Sequence, residues 1–171
     1  MLKYNFCPKC GSKDIHQKGG IVKCSNCKYT VYLHSAATAS ILPIKDDKVL
    51  LTHRKFEPQK EKIDFLGGFL NYGEDPKNGA KREMKEETGC EIEILNLIGV
   101  YMDSYYYQNE DVITLNFVYV AKIIKGNMQI ADDVADVFWQ PLSKLPKDVA
   151  YKTIKNALKD LQKWYKKNEN N

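Results

Sequence analysis

The chain has 171 residues, 43% of them hydrophobic and 28% charged, with a formal net charge of +4. That length suits one ordinary domain with a small appendage, and the mild charge allows an anionic small molecule without arguing for nucleic acid. No apolar run reaches the length of a membrane span and the first residues lack the apolar core of a signal peptide, so a cytoplasmic protein is expected.

The first elements are two cysteine pairs, Cys7 with Cys10 and Cys24 with Cys27. Each Cys-x-x-Cys knuckle points two sulfurs at one place. Two knuckles supply four thiolates, a closed set that suits a structural Zn²⁺. Ile15 to Val22 between them reads as a hairpin turning at Gly19 and Gly20. The stretch resembles a zinc ribbon, and with so little core its folding depends on the metal. Disulfides or a redox dithiol are the alternative. His16 reads as a surface histidine. Lys3, Lys9, Lys13, Lys18, Lys23 and Lys28 make the segment basic, but no clear aromatic platform accompanies them. A ribbon over residues 1–33 and a second domain over 34–171 are therefore expected.

Thr30 to Ser35 reads as a partly extended linker. Ala36 to Ile44 and Val49 to Arg54 read as buried strands joined at Asp46 and Asp47. Arg54, at a strand end, is a candidate contact for a phosphate or base, or simply a surface charge. After a polar loop, Ile63 to Leu66 is a short strand leading to Gly67, Gly68 and Phe69.

The next segment organises the rest. Asp75 is a helix cap, Pro76 fits the first helical position and Gly89 is a stop, so a helix is predicted from Pro76 to Thr88. On it Glu83, Glu86 and Glu87 share one face, and Glu74 precedes them. Such crowding repels itself unless a divalent cation such as Mg²⁺ or Mn²⁺ sits among the carboxylates. A solvated acidic face is the alternative. Gly67 and Gly68 allow close backbone approach.

Beyond the helix, Glu91 to Tyr101 reads as a strand, 102–111 as an aromatic and polar loop, and Val112 to Ile124 as a long strand. Tyr106 in that loop is a candidate for stacking on a base, the alternative being packing on the sheet edge. Gly126 and Asn127 form a turn. Asp132 and Asp133 precede a Trp139-bearing segment, and a terminal helix from Val149 to about Lys167 carries Ile154, Leu158, Leu161 and Tyr165 on one stripe.

The run from Gly68 through Cys90 resembles the Nudix box, with Gly68, Glu74, Arg82, Glu83, Glu86, Glu87 and Gly89 at the fixed positions and Met84 and Cys90 at the apolar ones. The resemblance implies a mixed sheet between helices, an α/β (α+β) fold. It implies hydrolysis of a nucleoside diphosphate linked to another group, with Mg²⁺ or Mn²⁺ held by Glu83, Glu86, Glu87, Glu74 and the Gly68 backbone. Arg82 would orient a glutamate, Gly67 and Phe69 would lie at the substrate, and Asp133 would join the metal shell or act as base. With the ribbon, the layout is similar to NADH pyrophosphatases and ADP-ribose pyrophosphatases. The Ser-Gln-Pro-Trp-Pro-Phe run of the NADH enzymes is missing here. The expected partner is a small nucleotide, with nucleic acid and membrane not expected and a homodimer left open. A non-catalytic, nucleotide-sensing regulator whose ribbon binds nucleic acid or protein is the competing reading.

Overall fold

A computed structural model describes residues 4–107, 110–130 and 134–168. Lys3, Asp132 and Asp133 lie outside the described residues.

The cysteine segment folds as an antiparallel sheet of β1 (Ile15–Lys18), β2 (Ile21–Cys24) and β3 (Thr30–Tyr32), which among the described residues pair only with one another. The hairpin turn falls at Gly19 and Gly20 as expected. The linker is extended over its first part: Thr30 to Tyr32 forms a third strand, because Thr, Val and Tyr suit a strand and the edge of β2 is there to pair.

The remaining strands are β4 (Ala36–Lys45), β5 (Lys48–Arg54), β6 (Ile63–Asp64), β7 (Leu66–Phe69), β8 (Glu91–Tyr107), β9 (Glu110–Lys125) and β10 (Val134–Pro141). Their order is β10-β5-β4-β9-β8, with β6 on β5 and β7 on β4. β4 runs parallel to β9, and the other pairings are antiparallel, so the sheet is mixed. Helix α1 (Pro76–Thr88) packs Ala80 and Met84 on one face, against Ala39, Ile41, Leu66 and Tyr119. Helix α2 (Lys152–Asn168) packs Ile154, Ala157, Leu158 and Leu161 on the other, against Leu42, Leu51, Val118 and Val120. Strand alternation divides the two cores: Ile41 faces α1 and its neighbour Leu42 faces α2. Each fully buried Leu or Ile stabilises by about 1.5–3 kcal/mol, which fixes the layers.

One expectation fails in a useful way. The loop predicted over 102–111 is mostly strand, since β8 continues to Tyr107 and pairs Asp103 with Thr114 and Tyr105 with Val112. Tyrosines are good strand formers, and a ready partner strand overrides the polar composition. The alternation then decides which tyrosine faces where.

Candidate active site

Helix α1 begins where the cap chemistry places it. The Asp75 carboxylate accepts from the Lys77 and Asn78 amides, Pro76 occupies the first turn, and Gly89 closes the helix by donating its N–H to the Lys85 carbonyl. Glu83, Glu86 and Glu87 thereby project from the end of α1 that lies beside β7.

Arg82 is the hub. Its Nε donates to Glu74 Oε1 at 2.8 Å, Nη1 to Glu83 Oε1 at 2.7 Å and Glu86 Oε2 at 2.9 Å, and Nη2 to Glu74 Oε2 at 2.9 Å and the Phe69 carbonyl at 3.0 Å. The paired bonds to Glu74 raise the guanidinium pKa, with Glu83 and Glu86 adding to the effect. In return Arg82 holds the Glu74 carboxyl down to about 2, helped by the Asn71 amide. Glu83 moves the other way. Burial raises its pKa, Arg82 opposes, and the charges of Glu86 and Glu74 raise it further. Glu87 accepts from the Gly67 amide at 2.8 Å.

Two glycines allow this approach. A side chain at Gly67, whose φ is +135°, would lie 2.2 Å from the Ala39 carbonyl oxygen. One at Gly68 would lie 2.7 Å from Glu83 Oε1. The first contact is with backbone and cannot relax, and the second would push the Glu83 carboxylate aside, so β7 lies flush against both β4 and the acid cluster.

The carboxylates do not all converge. Among the described residues, the four cysteines are the one group of three or more Cys, His, Asp or Glu with ligand atoms within 4.8 Å of one another. On α1, Arg82 draws Glu74, Glu83 and Glu86 to itself, while the Gly67 amide takes Glu87. The donor set still fits a hard cation: several carboxylates, mutually repelling, on a short helix with a glycine-backed partner strand. The cysteines fit zinc closely. Sγ of Cys7 and Cys27, and of Cys10 and Cys24, lie 3.7 Å apart. A tetrahedron with Zn–S bonds of about 2.3 Å has edges of about 3.8 Å.

Beside the box, on the α2 face of the sheet, lies a cleft of about 260 Å³. Its wall includes Gly67, Gly68 and Phe69 of β7, Ser40 of β4, Asn116 of β9, Tyr105 of β8 and Tyr151 ahead of α2. A larger hollow of about 780 Å³, lined by Ile44, Trp139 and Trp164 among others, touches no box residue and offers no comparable chemistry.

Arg54 lines the small cleft, though not as a free cation. It donates to Asp64 Oδ2 at 2.6 Å and to the Pro58 carbonyl at 2.8 Å, and sits 5.4 Å over the Tyr151 ring. Burial raises the Asp64 pKa, and Arg54 opposes that. Phe69 stands at the mouth, edge-on to Tyr105 with ring centroids 6.2 Å apart. Tyr106 is displaced from its expected role: alternation along β8 sends Tyr105 into the cleft and leaves Tyr106 exposed on the opposite face.

Sequence reasoning missed Asp64, Asn116 and Tyr151. Asn116 carried a signal, as a lone amide in the apolar run from Leu115 to Val120.

Comparison with known proteins agrees with this architecture. A family profile described as "NUDIX domain" matches residues 34–162. The chain is 34% identical over 137 residues to an ADP-ribose pyrophosphatase of Methanocaldococcus jannaschii, covering 80% of this chain and 79% of the relative. It is 26% identical over 151 residues to the NAD-capped RNA hydrolase NudC of Haemophilus influenzae, covering 84% of this chain and 55% of the relative, so it spans only about half of that protein. The crystal structure of a NUDIX hydrolase from Nitrosomonas europaea superposes with a TM-score of 0.75 at 24% identity, over 92% of this chain and 90% of that one. These findings define the class as NUDIX hydrolases. The chain belongs to the NUDIX family and is a hydrolase of it. Among the described residues, no helix is long and apolar enough to cross a membrane.

Proposed function

We propose that residues 34–171 form the catalytic domain and hydrolyse the pyrophosphate linkage of a nucleoside diphosphate derivative of the ADP-ribose type, releasing a nucleoside monophosphate. The observation that carries this reading is the adjoining placement of the acid cluster on α1 and the aromatic cleft across β7. A diphosphate lying over Gly67 to Phe69 would have its bridging bond at the carboxylates and its nucleoside in the cleft.

Glu83, Glu86 and Glu87, with Glu74 and the Gly68 backbone in support, would hold Mg²⁺ or Mn²⁺. The ion, when bound, neutralises phosphate charge and acidifies water. Arg82 positions Glu74, Glu83 and Glu86, a supporting role with no contact to the reacting atoms. Glu83, whose pKa burial raises, is the box carboxylate we assign to take the water's proton. Glu87, on the Gly67 amide, sets the separation between α1 and β7.

The relative named ADP-ribose pyrophosphatase supports this substrate class. Purified protein with Mg²⁺ is expected to convert ADP-ribose to AMP and ribose 5-phosphate. Absence of turnover across ADP-ribose, NADH and dinucleoside polyphosphates would overturn the reading.

We infer that the ribbon, residues 1–33, is a stabilising module. One observation favours a second reading in which the substrate's remainder is an RNA. The strand register places His16, Lys18, Lys23 and the exposed Tyr32 on the outer face of the small sheet, a basic aromatic surface that the sequence alone does not reveal. The relative named NAD-capped RNA hydrolase is consistent with it. Salt-dependent binding of single-stranded RNA that Lys18→Glu with Lys23→Glu abolishes would support that reading.

A further inference from the structure

The cleft holds two polar atoms that nothing among the described residues satisfies. Asn116 Oδ1 and the Tyr151 hydroxyl are buried and have no hydrogen-bond partner among the described residues. Both residues line the same cleft. An orphaned buried polar atom costs about 1–3 kcal/mol, so two in one pocket call for a ligand.

The neighbouring groups define that ligand's chemistry. Asn116 Nδ2 donates to Ser40 Oγ at 3.0 Å, and its oxygen is the group offered to the cleft. Asp103 is occupied by the Thr153 hydroxyl at 2.7 Å, and Asp64 by Arg54 at 2.6 Å. The cleft therefore has no uncommitted cation and repels a phosphate. Its walls are rings: Phe69 edge-on to Tyr105, and Tyr105 with its centroid 6.0 Å from that of Tyr151. A pocket of this size, lined by aromatic rings and offering an acceptor, takes a planar uncharged heterocycle that carries an N–H donor.

We propose that this cleft reads the 6-amino group of adenine through Asn116 Oδ1, with the Tyr151 hydroxyl as a second contact. The proposal rests on the hydrolase reading above and specifies its nucleoside. A hypoxanthine or guanine ring presents a carbonyl oxygen where adenine presents the amino group, so two acceptors would face each other. A site built to hydrogen-bond one group rejects the analogue lacking it far more strongly than an apolar pocket rejects a change of size.

The test is direct binding of AMP and IMP to the full chain by calorimetry, in the wild type, Asn116→Leu and Tyr151→Phe. AMP is expected to bind at least about tenfold more tightly than IMP. Asn116→Leu should bring the two within about twofold. Tyr151→Phe should weaken AMP binding while Tm stays the same or rises, because only an unpaired buried hydroxyl is lost. A purely structural tyrosine would not combine those two results. IMP binding as tightly as AMP, neither nucleotide binding, or a folded Asn116→Leu keeping the preference would each overturn the proposal. Should Asn116→Leu not fold, Tyr151→Phe decides alone, and unchanged AMP affinity refutes the second contact and the pocket with it. Turnover of ADP-ribose and its hypoxanthine analogue separates the two claims. Preferential AMP binding with no turnover sinks the hydrolase substrate and keeps the pocket, whereas equal turnover of both keeps the hydrolase and sinks the pocket.

Discussion

The cysteine sheet and the acid-bearing helix both gather candidate metal ligands, yet their folds are built differently. The small sheet buries Cys7, Val22 and Cys24 and almost no other apolar side chain, so its sulfurs are also its core. Helix α1 buries Ala80 and Met84 under a full hydrophobic layer, and Arg82 already ties three of its four nearby carboxylates. On the proposed reading zinc would build the fold of the ribbon, whereas α1 is packed without a cation and Arg82 holds its carboxylates in place.

That contrast can be broken most severely at the ribbon. Chelation of zinc, or Cys24→Ser, is expected to unfold residues 4–33 while the larger domain keeps its cooperative melt. Proteolysis and amide NMR check this, and loss of the large domain's signals would refute the independence. Next in size is Gly67→Ala, where a Cβ meets the Ala39 carbonyl at 2.2 Å and φ is +135°. We expect about 3 kcal/mol of lost stability, read by denaturant titration.

Glu86→Gln separates activity from folding. Its side chain is 59% exposed, so stability should move by no more than about 0.5 kcal/mol. Turnover should fall at least about a hundredfold, near 3 kcal/mol of transition-state stabilisation. The smallest effect is one of pH. Glu74 has its folded pKa lowered from 4.5 to about 2. Its contribution is therefore complete above the unfolded value and is lost as pH falls from 4.5 toward 2. Glu74→Gln should flatten that part of the acid-unfolding curve, and an unchanged curve would remove Glu74 from the network's energetics.

Much of this contrast was legible from residue types alone. Cys spacing announced the clustering of the four sulfurs, and the cap at Asp75 with the stop at Gly89 bounded α1 correctly. The cleft was less legible, for physical reasons. Tyr105, Asn116 and Tyr151 meet only after β8 pairs with β9 and α2 packs over them, and no local pattern encodes that meeting. The choice between Tyr105 and Tyr106 depended on strand parity, which a loop assignment over 102–111 erased. Arg54 was found as a residue but not as a role, because its partner Asp64 is ten positions away on a two-residue strand.

The central claim is that the carboxylates of α1 take up a divalent cation beside β7. Mn²⁺ titrated into zinc-loaded protein, followed by paramagnetic broadening of amide resonances, tests it directly. Broadening should begin at Gly67, Gly68, Glu83, Glu86 and Glu87 and spare Cys7 and Trp139. Broadening that begins elsewhere, or that persists at these amides in Glu86→Gln with undiminished affinity, would contradict the account.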